Sequence, residues 1–280
     1  MRKKNVKLYI ILGSMIVLLM GLMCCGNGNK AKASDKITIT NVSYDPTREF
    51  YLKYNEAFEN YYKETYGKEV EVVQSHGGSG TQARSVIEGA DADVVTLACE
   101  RDINLIEKAG LIEKNWKNEF KENSAPYTST IVFLVRKGNE KGIKDWDDLT
   151  RKGVDVITPD PKSSGGACWN FLAAWNYAAG KYHDEEKEKQ FLADLYRNVS
   201  VLDSGARGAT TTFVENGQGD VLLAWENEAI ATKKEYQDKF EIVYPSVSIL
   251  AQPSVAIVDE NVDKYETRAV SEAYLNYLYS

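Results

Sequence analysis

Three short stretches place serine and glycine where a strand gives way to a helix. They are Ser75-His76-Gly77-Gly78-Ser79-Gly80, Lys162-Ser163-Ser164-Gly165-Gly166-Ala167 and Asp203-Ser204-Gly205-Ala206-Arg207-Gly208. Each follows a short apolar run and precedes apolar residues at helical spacing. The first N–H groups of a helix have no acceptor within it, and the helix dipole favours negative charge at that end. Glycine at such a start lets those N–H groups approach a ligand without a Cβ in the way, so each turn is a candidate anion cradle. Asp45-Pro46 is a fourth start, with Asp suited to cap a helix and Pro to its first turn. Trp225 ends the apolar run Asp220–Trp225, and its indole can only donate. The chemistry on offer is therefore donation: backbone N–H groups, the hydroxyls of Ser79 and Ser164, and one indole. Donors without an acceptor suit a fully deprotonated oxyanion, whereas phosphate at neutral pH keeps a proton and favours a carboxylate. Asp45 and Asp203 lie beside the turns, so this pattern alone leaves the two open.

Other chemistries lack their residues. No glycine-rich loop ends in Lys-Ser or Lys-Thr, and no three-glycine dinucleotide fingerprint occurs. His76-Gly77-Gly78-Ser79 is similar to an oxyanion-hole loop, yet no serine sits in Gly-x-Ser-x-Gly. The chain has two histidines, His76 and His183, the latter in a charged linker. No cluster of His, Cys, Asp or Glu has metal-ligand spacing, so neither catalysis nor a cofactor is expected. Cys99 and Cys168 form one distant pair, which gives no disulfide framework to argue from. Arg207 and Lys162, near the turns, read as solvated or as supporting the donors from behind.

The turns need a scaffold to bring them together, and strands alternating with helices supply it. Strands are read at Lys36–Tyr44, Val70–Gln74, Asp93–Leu97, Ser129–Val135, Val154–Thr158, Ser200–Leu202, Asp220–Trp225, Phe240–Tyr244 and Ser254–Val258. Helices are expected after Asp45-Pro46 to Tyr66, over 81–88, from Asn104 to Ala109, from Cys168 to a stop at Gly180, and from Asp184 to Tyr196. Further helices are expected from Ala209, from Glu226 and over Tyr265–Tyr279. The stripe Phe50, Tyr54, Phe58, Tyr61, Tyr62 reads as core. Such alternation predicts an α/β architecture with mostly parallel sheets, in which ligands bind beyond the carboxyl ends of the strands. The three turns and the Asp45-Pro46 start occupy those positions.

The chain has 280 residues and a formal net charge of −7. Arg2, Lys3, Lys4 and Lys7 precede the apolar stretch Leu8–Met23, which reads as a secretory signal over residues 1–24. Cys24-Cys25 closes it, and the arrangement resembles the lipobox of bacterial lipoproteins. Cys25 is the expected lipidated residue and Cys24 the alternative, with residues 25–35 a tether. Without those four basic residues the 34 becomes 30 against 41 acidic ones, a net of −11. That excess argues against nucleic acid or an anionic membrane surface as partner. A bound anion must then be held by local dipoles.

Several longer strings are specific enough to carry a resemblance. Asn41-Val42-Ser43-Tyr44-Asp45-Pro46-Thr47-Arg48, Gln74 to Gly80, Ala125 to Gly138, Pro161 to Ala167, Leu202 to Gly208 and Ala224-Trp225-Glu226-Asn227-Glu228 closely resemble the sulfate-binding proteins of bacterial ABC importers. The resemblance implies a two-lobed periplasmic-binding-protein fold of type II, with a cleft that closes on dehydrated sulfate or thiosulfate and an ABC permease as partner. It implies lobe 1 over 36–127, lobe 2 over 128–246 and a return to lobe 1 over 247–280. It implies ligand contacts from Asp45 and Ser79 in lobe 1 and from Ser164, Gly165, Gly166, Ala206 and Trp225 in lobe 2. Most are backbone N–H groups, with the Ser164 hydroxyl and the Trp225 indole as side-chain donors. An extracytoplasmic, lipid-anchored location follows, with the lipobox replacing the family's plain secretory signal. Another tetrahedral oxyanion such as molybdate or phosphate is the same-class alternative, and an extracytoplasmic ester hydrolase the different-class one. Family members continue with further helical segments beyond the point matching Tyr277-Leu278-Tyr279-Ser280, and those are expected to be missing here.

Overall fold

The computed structural model describes residues 36–237 and 239–280, so the leader, Cys24, Cys25 and the tether lie outside the described residues. Strands β1 (Ile37–Tyr44), β2 (Val70–Gly77), β3 (Val94–Leu97) and β9 (Ser254–Ile257) form one open sheet in the order β2-β1-β3-β9. Strands β4 (Ile131–Arg136), β5 (Val156–Pro159), β6 (Val199–Asp203), β7 (Val221–Trp225) and β8 (Phe240–Val243) form the other, in the order β6-β5-β7-β4-β8. Each sheet is the centre of one lobe. β3, β5, β7 and β9 are buried along their whole length. Strands covered on both faces need near-continuous apolar runs rather than alternation, which is how Val94–Leu97 and Val221–Trp225 read.

Four of the seven strand pairings are parallel, joining β1 to β2 and β3, and β5 to β6 and β7. The antiparallel ones involve β4 and β9, the first strands after each crossing between sheets. Ile131 is opposite Trp225, and Ser254 is opposite Leu97. A chain crossing at the edge where the parallel strands end enters the next sheet there and must run the other way. The two crossings pair with each other: Ser129 and Ala251 exchange backbone bonds of 2.9 and 2.8 Å. The Ser248 hydroxyl adds bonds to the Ile131 N–H (3.0 Å) and carbonyl (2.8 Å).

The helices are α1 (Arg48–Tyr66), α2 (Ser79–Ile87), α3 (Glu100–Lys108), α4 (Gly165–Tyr182), α5 (Glu185–Arg197), α6 (Ala206–Val214), α7 (Glu226–Glu235), α8 (Asp259–Lys264) and α9 (Arg268–Tyr277). On α1 the residues Tyr51, Asn55, Phe58 and Tyr62 recur at helical spacing and are buried. They pack on α9, where the Tyr274 ring lies 5.1 Å from Phe58, edge on. The Tyr274 hydroxyl donates to Asn55 (2.8 Å) and accepts from Asn41 (3.1 Å), so its polar end is satisfied in the core.

Four local readings change. α4 runs through Gly180 to Tyr182 and is closed by His183 at φ 50°, whose N–H bonds to the Ala179 carbonyl. The packing of Ala173, Ala174 and Ala178 outweighs the roughly 1 kcal/mol that glycine costs inside a helix. His183 is thus a helix cap, and Asp184 directly caps α5. α3 starts at Glu100, ahead of Asn104, and buries Asp102, Ile103 and Ile106. Asp45 does not cap a helix: it opens a 3-10 turn over Asp45–Thr47 with Tyr44 in the cap position. The expected Tyr265–Tyr279 helix is the shorter α9, which starts only at Arg268; Glu266 (φ 56°) separates it from α8, which ends before Tyr265.

Candidate anion-binding site

The parallel strands of each sheet end on one rim. In the first lobe Tyr44 is level with Gly77, and the chain leaves β1, β2 and β3 into the Asp45 turn, α2 and α3. In the second lobe Pro159 is level with Asp203, and β5, β6 and β7 lead into α4, α6 and α7. The two rims touch. A Cβ added to Gly165 would lie 2.7 Å from the Asp102 carboxylate, 2.8 Å from Ser79 Cβ and 2.9 Å from Ala98 Cβ. One on Gly78 would lie 2.7 Å from the Ser204 carbonyl and 2.9 Å from that of Ser163. One on Gly205 would run into the Asp45 carboxylate. At Gly78, Gly165 and Gly205 glycine therefore serves the approach of one lobe to the other, a role the turns alone did not reveal.

All seven expected residues come to this junction. Gly165 and Gly166 are the first residues of α4, Ser79 of α2 and Ala206 of α6, so none has an acceptor for its N–H within its helix. Ser164 caps α4: its Oγ accepts from the Ala167 N–H at 3.3 Å, which leaves its proton to be donated. The Trp225 indole is buried and donates to the Gly166 carbonyl at 3.2 Å. Gly166, Ala206, Thr210, Trp225 and Glu228 line one cavity of about 10 Å³, the room of about one water. Larger hollows lie elsewhere: one of about 700 Å³, lined by Cys99, Arg101, Pro161, Cys168, Phe171 and Leu172, is largely apolar.

Two expected side-chain donors are already engaged, the Trp225 indole by the Gly166 carbonyl and the Ser79 hydroxyl by a carboxylate. The Ser79 hydroxyl donates to Asp102 at 2.6 Å and accepts from the Ala98 N–H at 3.1 Å. Only its backbone N–H remains for a ligand. Asp102 is fully buried and also accepts from the Arg101 guanidinium (3.1 and 2.9 Å) and the Cys99 thiol (3.3 Å). Cys99 and Cys168 are both free thiols, and burial pushes each above its ordinary range.

The charges around the rims are arranged around donors. Burial raises the Asp45 carboxyl, against the pull of Arg48 and Arg207. Burial likewise raises Glu228, against a hydrogen bond of 2.7 Å from Thr210. Both acids are thus shifted toward the neutral form beside the junction. Arg207 points outward and pairs with Glu49 of the other lobe, and Lys162 is exposed. His76 bonds Ser43 at 2.5 Å, and burial followed by Arg48 lowers its pKa to about 4. Ser43 is fully buried within β1, so this hydroxyl–imidazole pair does not meet a substrate. Asp102, Glu228 and Tyr44 were missed as members of the site. An acid in a first helical turn reads as a surface residue, and only the folded chain shows what covers it.

The profile of the family described as bacterial extracellular solute-binding protein matches residues 39–280. The chain is 61% identical over 246 residues to the sulfate-binding protein of Salmonella typhimurium, across 87% of this chain and 75% of that one. It is 50% identical over 244 residues to the thiosulfate-binding protein of Pseudomonas aeruginosa, across 86% and 74%. Among solved structures, the sulfate-binding protein SubI from Mycobacterium tuberculosis superposes with a TM-score of 0.78 at 34% identity, across 87% of this chain and 82% of that one. The periplasmic molybdate-binding protein of Azotobacter vinelandii (TM-score 0.57, 14% identity, 86% and 93% covered) shares the fold. With its two open-sheet lobes meeting on helix N-termini, the chain belongs to the bacterial extracellular solute-binding proteins, which bind and deliver rather than catalyse.

Proposed function

We propose that the chain is an extracytoplasmic receptor that encloses sulfate between its lobes and hands it to an ABC permease. The observation that carries this reading is the meeting of helix starts from both lobes where arginine and lysine face outward. The N–H groups of Asp45, Ser79, Gly165, Gly166 and Ala206, the Ser164 hydroxyl and the Trp225 indole surround the anion. A charge-assisted hydrogen bond contributes about 1.5–3 kcal/mol, so several bind a dianion tightly without an ion pair. A site of donors discriminates against an anion that must itself donate, because its proton would face other protons. The lobes are taken to divide near 127/128 and 246/247, at the paired crossings. Thiosulfate is the second reading, favoured by the identity to the Pseudomonas protein. Attachment is by a lipid on Cys25, with Cys24 the alternative: acyl labelling should be lost in Cys25→Ala and kept in Cys24→Ala, and the reverse pattern would move the anchor to Cys24.

Calorimetric titration of the purified protein with sulfate, repeated with thiosulfate and in excess phosphate, tests the reading. One-to-one sulfate binding undisturbed by phosphate is expected. A cooperative thermal melt with no sulfate heat would mean a folded receptor for another solute.

A further inference from the structure

Lobe 1 provides few residues to the apolar core of lobe 2. That core's buried members run from Ile131 to Ala251, joined by Tyr44 and Ala98 from the far rim. Tyr44 is the last residue of β1 and is buried, and its ring centroid lies 5.4 Å from that of Trp225 at 51°. Its carbonyl accepts from the buried Thr47 hydroxyl at 2.7 Å. The peptide between Tyr44 and Asp45 is trans, so fixing its carbonyl fixes the Asp45 N–H in the opposite direction. The Tyr44 hydroxyl lies beside that of Tyr127, in the segment leading to the first lobe crossing.

We infer that Tyr44 is a positioning residue for the anion site, aiming one donor on each lobe. Through its own peptide it directs the Asp45 N–H, and through its ring it holds the Trp225 indole across the junction. The inference rests on the reading that Asp45 and Trp225 contact the anion. A donor that is already aimed loses less freedom when the ligand arrives, so closure is favoured and release is slowed. Because the ring contact forms only when the lobes meet, its loss should act on dissociation. The encounter with an open cleft does not depend on it.

The test is stopped-flow tryptophan fluorescence with sulfate on the full chain, comparing Tyr44→Leu, Tyr44→Phe, Thr47→Val and Trp225→Phe. Tyr44→Leu should release sulfate about tenfold faster with an association rate within about twofold of the parent. Tyr44→Phe, which keeps the ring, should restore slow release. Thr47→Val, nearly isosteric and far less disruptive, should weaken binding several-fold by freeing the Tyr44–Asp45 peptide. Parent-like release in Tyr44→Leu, or release from Tyr44→Phe as fast as from Tyr44→Leu, overturns the inference. Should Tyr44→Leu fail to fold, parent-like affinity in Thr47→Val overturns it alone. Trp225→Phe separates the two levels: unchanged affinity there removes the indole from the site, whereas weakened Trp225→Phe beside parent-like Tyr44→Leu leaves the site and removes Tyr44.

Discussion

Ser79 and Ser164 look alike in the sequence, each opening a glycine-rich helix start, yet the structure gives their hydroxyls different work. Ser164 accepts from the Ala167 N–H and keeps its proton for the cleft, while Ser79 spends its proton on Asp102. Ser164→Ala should therefore lose one charge-assisted bond of about 1.5–3 kcal/mol, which is about 10- to 150-fold in sulfate affinity. Ser79→Ala keeps the N–H and should change affinity little. It leaves the buried Asp102 short of one donor, at a cost of about 1–3 kcal/mol in stability. Titration and thermal melts of both variants check this. Equal losses of affinity would show that the Ser79 hydroxyl, too, reaches the anion. Local sequence could propose both serines but could not say where either proton goes, because Asp102 is 23 residues from Ser79 along the chain.

At the scale of elements, the caps and stripes were legible where the deciding contacts are local. Gly67 at φ 67° closes α1, and Phe58 and Tyr62 of the aromatic stripe are core, whereas Phe50 and Tyr61 are exposed and Tyr51 and Asn55 complete the buried face. Where neighbours from elsewhere decide, the reading slipped: α4 runs past Gly180, and the last helix starts only beyond a break at Glu266. That break lets α8 and α9 pack beside the turn at Trp116–Asn118, placing Glu119 near Asp259, Arg268 and Glu272. Burial, then Asp259, raises the Glu119 carboxyl to about 7, with Arg268 opposing. A carboxyl that holds its proton more tightly when folded penalises the fold as pH rises from its ordinary 4.5 through about 7, and fully above that. Glu119→Gln should then melt higher than the parent at pH 8 and no higher at pH 4. A gain that is the same at both pH values would mean that this carboxyl is not the cause.

For the molecule as a whole, function depends on two rims meeting at glycine. Gly165 sits where a Cβ would overlap Asp102, Ser79 and Ala98 of the other lobe, and none of these is within its own sheet. Gly165→Ala should hold the lobes apart while leaving each sheet and its helices folded, with loss of the Tyr44 and Ala98 packing against lobe 2. Sulfate affinity should fall by about tenfold or more, and small-angle scattering should show no contraction on adding sulfate. Parent-like affinity and contraction would mean the lobes close with room to spare. Trp169, whose indole donates to the Ala98 carbonyl at 2.7 Å, and the Arg207–Glu49 pair also join the lobes, so closure rests on contacts outside the anion site as well.

By itself the sequence determined the alternation of strands and helices, the positions of the donor-rich helix starts and the kinship that the longer strings carry. Periodicity, capping and turn chemistry act over a few residues, so they can be read along the chain. Only the tertiary structure decided that β4 and β9 run antiparallel, that Gly78, Gly165 and Gly205 lie against the opposite lobe, and that Asp102 takes the Ser79 proton. It alone set Tyr44 against Trp225, 181 positions later, and raised the Asp45 and Glu228 carboxyls. Those outcomes depend on burial and on contacts between distant segments, and neither exists until the lobes are packed together.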